Sequence, residues 1–407
     1  MRRVVVTGIG IASPLGFELS EASARLRANE HGIKTMPEWD LLTHFYTRVA
    51  APVVVPKALE VPHKAARTMG RVAQLATIAT DLAIKDSGLK KDEFADGTVG
   101  LAYGSTHGSS HANEEWVKKL VEQRGLLGMS ATTYLKFMSH TTAANLATHF
   151  EIHGRVMCTS AACVSASAAI GYGFEMIGLG QMDVMVCGGA EELHFSHAAV
   201  FDMLKAASKA FNGTPDLTPR PFDQRRDGLV VGEGAGTIVL EEYERAKKLG
   251  KKIYAEVIGF GTNCDGTHVT NPSRDGMQRA MELALRSAHT EAGSIDYVNA
   301  HATGTSVGDI AESQATHAVF GNRVPVSSLK GNLGHTLGAC GGLEVAFSIQ
   351  MMRDGWIACT RNLENVGEGC APLDYVMGEA RSAKLRRVMC NKFAFGGINT
   401  SLVLQAV

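Results

Sequence analysis

The sequence predicts an α/β fold built as two related halves, and three observations carry that expectation. Short Val/Ile-rich runs alternate with longer segments of helical periodicity along the 407 residues, the order seen when helices cover the faces of a sheet. The length exceeds what one simple core usually serves, which favours two domains or two fused halves. Two stretches also echo each other: VMCTSAACVSASAAIGYGFEMI at 156–177 and VPVSSLKGNLGHTLGACGGLEVAFSIQMM at 324–352. Each reads as a strand, a tight turn with a reactive side chain, and a helix rich in Ala, Gly and Ser. RVVVTGIGIASPLG and KIYAEVIGFGTNCDG form a fainter pair at the head of each half. The implied division is 1–248 and 249–407, joined by an exposed connection in YERAKKLGKK.

The first strand is expected at 3–9. Met1-Arg2-Arg3 followed by VVVTGIGIASPLG superficially resembles a secretion signal, but Gly8 and Gly10 break the short apolar run and no small-residue cleavage pattern follows, so it reads as a buried strand. Apolar runs at 97–103, 155–160, 183–188 and 236–241 continue the first half, and 253–260, 295–301, 324–329, 387–393 and 401–406 supply the second. They lack strict alternation, as expected of strands buried on both faces. Helices are expected at 65–88, 111–124, 165–180, 274–289, 308–320 and 340–353. The small residues along 165–173 and 338–342 suit central helices whose backbones approach closely and hold a side chain rigidly at their N-terminal ends.

A net charge of −1 with 20% charged residues gives no overall field for nucleic acid or an anionic membrane. No run of about 18 apolar residues offers a membrane span. The eight cysteines contain no CxxC pair and no neighbouring His/Cys ligand cluster, so neither a zinc site nor a disulfide framework is expected. Free thiols in a chain of this size fit a reducing cytoplasm.

Three positions stand out for chemistry. Cys163 lies in SAACVSAS between a strand and a small-residue helix, where the helix dipole favours thiolate, the nucleophilic form; taken alone, the position equally suits a small buried hydrophobe. His301 ends a strand in YVNAHATGTSVGD, and His335 lies in SLKGNLGHTLGACGG. Either alone also reads as a structural histidine. Together, a thiol and two imidazoles at strand ends suit acyl transfer through a covalent thioester. Lys330 and Glu344 read either as a buried ion pair stiffening the His335 turn or as solvated charges. Gly396-Gly397, in NKFAFGGINTS, read either as a plain turn or as backbone presenting an N–H to a ligand.

These motifs in order resemble the β-ketoacyl–acyl-carrier-protein synthases, elongating condensing enzymes of the thiolase-like superfamily. The resemblance runs from VVVTGIGIASPLG through the Cys163 turn, CGGAEE (187–192), RPFDQRRDGLVVGEGAG (220–236), NAHATGTSVGD (299–309) and SLKGNLGHTLGACGGLE (328–344) to NKFAFGGINTSLVL (391–404). It implies a duplicated, five-layered αβαβα fold and an obligate dimer, of the chain with itself or with a homologous ketosynthase-like subunit. It also implies acyl carrier protein as partner and no metal or redox cofactor. By position, Cys163 matches the acyl-accepting nucleophile, and His301 and His335 match the pair acting in malonyl decarboxylation and condensation. Lys330 and Glu344 match a buried supporting pair. Thr303 and Thr305 match hydroxyls that contact the phosphopantetheine arm. Phe395, beside Gly396, matches an aromatic gate, and the backbone N–H groups of Cys163 and Phe395 match the oxyanion hole. The sequence departs from the general elongation pattern at Ala161, at Val164-Ser165-Ala166, and across 36–62, which is more similar to condensing enzymes of specialised polyene pathways.

Two other readings compete. A non-catalytic chain-length-factor-like partner typically lacks the nucleophile, whereas Cys163, His301 and His335 are all present. A thiolase acting on acyl-coenzyme A has a second cysteine near its C-terminus, where this chain carries Phe395. Because carrier proteins are acidic, a nearly neutral enzyme needs a local basic rim. Lys64, Arg67 and Arg71 on one helix face, and Lys205 and Lys209 at i,i+4 spacing, are the expected docking cations.

Overall fold

The structure, a computed structural model, describes all 407 residues. Its spine is one eleven-stranded sheet. The first half contributes β1 (Val4–Ala12), β2 (Val99–Gly104), β3 (Val156–Cys158), β4 (Val184–Glu191) and β5 (Gly234–Glu242). The second contributes β6 (Ala255–Cys264), β7 (Tyr297–Asn299), β8 (Pro325–Ser327), β9 (Asp374–Tyr375), β10 (Arg387–Phe393) and β11 (Ile398–Gln405). The spatial order is β9-β8-β7-β10-β11-β6-β1-β5-β4-β2-β3.

That order contains a repeat. From its outer edge inward, the first half runs β3-β2-β4-β5-β1, with two parallel pairings followed by two antiparallel ones. The second half runs β8-β7-β10-β11-β6 with the same sequence of pairings, and β9 adds one strand outside it. The halves join where Val4–Val6 pair antiparallel with Ala255–Val257.

Seven helices position the site: α1 (Arg71–Ser87), α2 (Ser110–Gln123), α3 (Ser165–Gly178), α4 (Phe195–Met203), α5 (Arg274–Ser287), α6 (Ser306–Phe320) and α7 (Cys340–Asp354). α1 covers β1 and β5 from outside, α5 covers β6 and β11 and packs on α6, and α3 and α7 lie between the two halves of the sheet. The result is five layers. The small residues of the central helices are required by contact distance. A Cβ on Gly341 would lie 2.5 Å from the Ser167 backbone nitrogen, and one on Gly236 would lie 2.4 Å from the Gly342 carbonyl carbon. No helix is long and apolar enough to cross a membrane.

Two expectations need correction. The helix expected over 65–88 is interrupted: Ala65–Thr68 is a separate 3₁₀ turn, the chain is extended at Met69 and Gly70, and α1 starts at Arg71. Lys64, Arg67 and Arg71 therefore do not share a helix face. β3, expected to be buried on both faces, forms the sheet's outer edge, and its Val156 is 41% exposed.

Candidate active site

The two echoed stretches fold alike at their turns. Ala162–Val164 and Leu337–Ala339 each form a 3₁₀ turn immediately before a central helix. Each turn opens on a non-glycine residue in the left-handed region, Ala162 at φ 48° and Leu337 at φ 46°, a conformation that costs energy and has to be held by its surroundings. Ser165 supplies part of that hold: its Oγ accepts the Ala161 N–H at 2.9 Å and donates to the Ala162 carbonyl at 2.7 Å. The turn points the buried Cys163 away from β3 and toward the second half.

His335 is set by backbone bonds to the first half. Its N–H donates to the Val230 carbonyl at 2.7 Å, and its carbonyl accepts the Gly232 N–H at 2.9 Å. His301, at the end of β7, is held by a carboxylate: Glu312 accepts the N–H groups of His301 at 2.7 Å and Ala302 at 2.6 Å. Asp309, one turn earlier on α6, accepts the N–H groups of Thr303 at 3.1 Å, Gly304 at 3.2 Å and Phe222 at 2.7 Å.

These supports bring the three side chains together. His335 Nε2 lies 3.0 Å from Cys163 Sγ. The two imidazoles meet edge to face with centroids 5.1 Å apart. One ligating atom from each of Cys163, His301 and His335 falls within 4.8 Å of the others, so the His/Cys cluster that the sequence does not display is created by the fold. All three line a cavity of about 610 Å³, together with Thr303, Thr305, Phe201, Phe395 and Lys205. The Thr303 and Thr305 hydroxyls are 3.2 Å apart. The Phe395 ring stands 5.4 Å from that of Phe201, and it precedes Gly396 and Gly397, both left-handed at φ 87° and 70°. The N–H groups of Cys163 and Phe395 donate to no acceptor within the chain.

Burial dominates the electrostatics. It holds the His301 and His335 imidazoles well below their ordinary range, and the nearby Lys330 and Lys392 ammoniums push the same way. Both are therefore neutral near pH 7. Each has a buried Nδ1 without a partner. A buried N–H left unpaired is rarer than an under-used acceptor, which places the proton on Nε2, the nitrogen His335 turns toward Cys163. Burial also pushes the Cys163 thiol upward, aided by Cys340 and Glu191 and opposed by Lys330. This corrects the expectation of a thiolate stabilised by the helix dipole: loss of water outweighs it, and the resting group is a thiol.

Lys330 and Glu344 form the buried ion pair expected as one of two readings. Burial works against the Lys330 ammonium, but Glu344, with Cys340 and Glu312, outweighs it and the pKa is raised. Lys392, absent from the sequence reading, lies 2.9 Å from the other Glu344 oxygen and donates to Asn299 Oδ1 at 2.9 Å. Its signal was a lysine inside the strand-like run VMCNKF, beside Asn391. Glu312 and Asp309 were also missed, although two acidic residues in the first turns of a helix directly after His301 mark groups able to hold the preceding loop.

The expected docking cations fare unevenly. Lys64 and Arg67 are exposed, but neither lines the cavity. Arg71 is committed elsewhere: its guanidinium forms a bidentate pair with Glu233 at 2.6 and 2.7 Å and donates to the Val53 carbonyl. Lys205 and Lys209 follow the end of α4, with Lys205 left-handed at φ 55°, so they are not a helical i,i+4 pair. Lys205 nevertheless lines the cavity, and exposed Lys209 stands over the Tyr46 ring.

Residues 1–246 match the family described as beta-ketoacyl synthase, N-terminal domain, and residues 254–364 match beta-ketoacyl synthase, C-terminal domain. The chain belongs to the β-ketoacyl synthase family. It is 36% identical to 3-oxoacyl-[acyl-carrier-protein] synthase 1 of Haemophilus influenzae, over 100% of this chain and 99% of that one. A crystal structure of a beta-ketoacyl synthase from Burkholderia phymatum STM815 is 49% identical, with a TM-score of 0.96 and 100% of both chains covered. The ishigamide ketosynthase/chain length factor is 32% identical, with a TM-score of 0.92, over 100% of this chain and 99% of that chain. This β-ketoacyl synthase is therefore a carbon–carbon bond-forming acyltransferase with the duplicated thiolase-like fold, and its chemistry is decarboxylative condensation on acyl-carrier-protein thioesters.

Proposed function

We propose that Cys163 carries the growing acyl chain and that His301 and His335 serve the malonyl half-reaction. The observation behind this reading is the convergence of one thiol and two neutral imidazoles, with reactive atoms within 4.8 Å, at the buried end of the cavity. In the first half-reaction the Cys163 sulfur attacks the acyl–carrier-protein thioester while His335 Nε2–H donates to that sulfur, and the Cys163 proton passes to the departing carrier thiol. In the second, malonyl on another carrier protein loses carbon dioxide and the C–C bonding pair becomes an enolate. The two Nε2–H groups donate to the enolate oxygen. The enolate carbon attacks the Cys163 thioester, and the backbone N–H groups of Cys163 and Phe395 receive the tetrahedral oxyanion. Collapse expels the Cys163 sulfur, which is reprotonated. A fixed pair of donors aimed at developing charge supplies several kcal/mol of such stabilisation. Burial, with Lys330 and Lys392 pushing the same way, keeps the imidazoles neutral and therefore able to donate without titrating.

Thr303 and Thr305 are assigned to the phosphopantetheine arm, and Phe395 to a gate that Gly396 allows to move. Lys205, which lines the cavity, and exposed Lys209 are the carrier-protein contacts we favour, with Lys64 and Arg67 as an outlying pair. Residues 36–62 bear on primer choice: Trp39 and Phe45 lie in the same apolar cluster as Cys163, so the segment that departs from general elongation enzymes toward polyene-type ones borders the nucleophile. The free edge of β3 is assigned to a second subunit, either a copy of this chain or a homologous ketosynthase-like one. The division at 248/249 places Cys163 in one half and both histidines in the other. Eight unpaired cysteines suit the cytoplasm.

The test is peptide mapping after incubation with acyl-carrier protein, followed by mass spectrometry of products from malonyl-carrier protein and a panel of primers. The acyl group is expected on Cys163, and Cys163→Ala is expected to abolish extension while retaining the fold. Finding the acyl group on another cysteine overturns the assignment.

A further inference from the structure

Four of the fifteen histidines gather outside the Cys163 cavity, between the start of α2 and the start of α4. Their rings form a run, with centroids 4.5 Å apart for His111 and His194, 6.1 Å for His194 and His197, and 4.7 Å for His107 and His197. At the outer end of this run, His111 and Glu114 stand one turn apart on α2, on the same side. His194, buried ahead of α4, faces them: its Nε2 lies 2.9 Å from Glu114 Oε2. One ligating atom from each of His111, Glu114 and His194 falls within 4.8 Å of the others.

We propose that His111, Glu114 and His194 form a binding site for a divalent transition-metal ion of the Zn²⁺ type, with the fourth position open to water. Two imidazole nitrogens and one carboxylate oxygen make a borderline donor set, which prefers Zn²⁺, Co²⁺ or Ni²⁺ to Mg²⁺ or Ca²⁺. Bonds of about 2.0–2.2 Å to a tetrahedral ion place ligand atoms roughly 3.3 Å apart. The gathered atoms need only small rotamer changes to reach that spacing, and His111 and Glu114, both exposed, are free to make them.

The surroundings complete the case. His194 Nδ1 is 2.7 Å from Ser196 Oγ, the kind of outer contact that fixes ring orientation around a metal. A second carboxylate stands behind the site: buried Glu192 accepts the His111 N–H at 2.9 Å and the Ser109 hydroxyl at 3.2 Å. The two carboxylates oppose the positive end of the α2 dipole, which alone disfavours a cation. With the ring proton on Nδ1, facing Ser196 Oγ, Nε2 is free to take the ion in place of its contact with Glu114. The ion ties α2 to the entry of α4, the helix that carries Phe201 against Phe395.

This revises the sequence-based expectation of no metal, and the Cys163, His301 and His335 set is a competitor that the test removes. The full chain carrying Cys163→Ser is stripped with chelator and titrated calorimetrically with ZnCl₂, with MgCl₂ as comparison. One Zn²⁺ per chain is expected, no Mg²⁺ heat, and a higher melting temperature with Zn²⁺. Glu114→Gln and His111→Ala, each exposed on α2, are expected to weaken Zn²⁺ about tenfold or more and to lose the melting shift, while melting normally without metal. No Zn²⁺ binding in the Cys163→Ser chain, or equal binding in all three proteins, overturns the site.

Discussion

Glu344→Gln tests the electrostatic frame of the site. The Lys330, Lys392 and Glu344 side chains are 0, 0 and 1% exposed. With all three ionised, the group carries one net positive charge; the substitution makes it two with no added water. Removing one partner of a buried ion pair costs about 3–5 kcal/mol. An unfolding entropy of about 2.1 cal/mol/K per residue over 407 residues is about 0.85 kcal/mol/K, so the melting temperature should fall by about 4–6 °C. Lys392→Met is the contrast. It leaves the neutral Lys330–Glu344 pair and deprives Asn299 Oδ1 and the Asn391 carbonyl of a donor, a loss of about 1–3 kcal/mol or roughly 1–4 °C. Differential scanning calorimetry at fixed protein concentration and scan rate measures both. If Glu344→Gln melts no lower than Lys392→Met, the charge count used here is wrong.

His301→Ala and His335→Ala should each slow malonyl decarboxylation about 10²–10³-fold and Cys163 acylation much less; equal losses in separate half-reaction assays would mean that the histidines only hold the structure. Because burial depresses both imidazole pKa values, the unfolded chain takes up protons below about pH 6.5 that the native state refuses, so stability is full above that pH and falls with acidification. Urea unfolding at about pH 7 and about pH 5 should show a larger loss for the wild type than for the His301→Gln/His335→Gln variant, and equal losses would place the acid sensitivity elsewhere. Charge reversal at Lys205 and Lys209 should raise the apparent Michaelis constant for carrier-bound substrates more than for small thioester mimics, and no difference rules out this docking surface. Gly396→Val should slow Cys163 acylation: a Cβ there meets only Ile398 at 3.9 Å, but φ is 87°, so the effect acts through the backbone rather than through crowding. Wild-type loading by quenched flow in a folded variant removes the gate.

Much of the sheet was legible because its strands are apolar runs long enough to show burial on both faces, as in VVVTGIGIA at β1 and INTSLVLQ at β11. β9 was not, since two residues, Asp374 and Tyr375, carry no period. The helix boundary at Arg71 was missed because periodicity runs through Met69-Gly70 while the backbone does not. At the site, Cys163, His301 and His335 were visible because each follows a strand and is flanked by small residues. Lys392 lay in the same quoted motif, but its role depends on Glu344, which reaches it only through the packing of α7. The state of the thiol was misread for a related reason: a helix terminus is local and appears in the sequence, whereas complete burial belongs to the assembled halves.

The seam between those halves has a further consequence. Gly341 and Gly342 meet Ser167 and Gly236 main chain to main chain, so the spacing of the backbones that carry Cys163 and His335 is gauged with no side chain in between to take up error. The joint behaves as a machined spacer rather than a cushioned one. A methyl group inserted there, far from any substrate, would have to part the two backbones, so the reactive geometry depends on four residues that never touch the reaction.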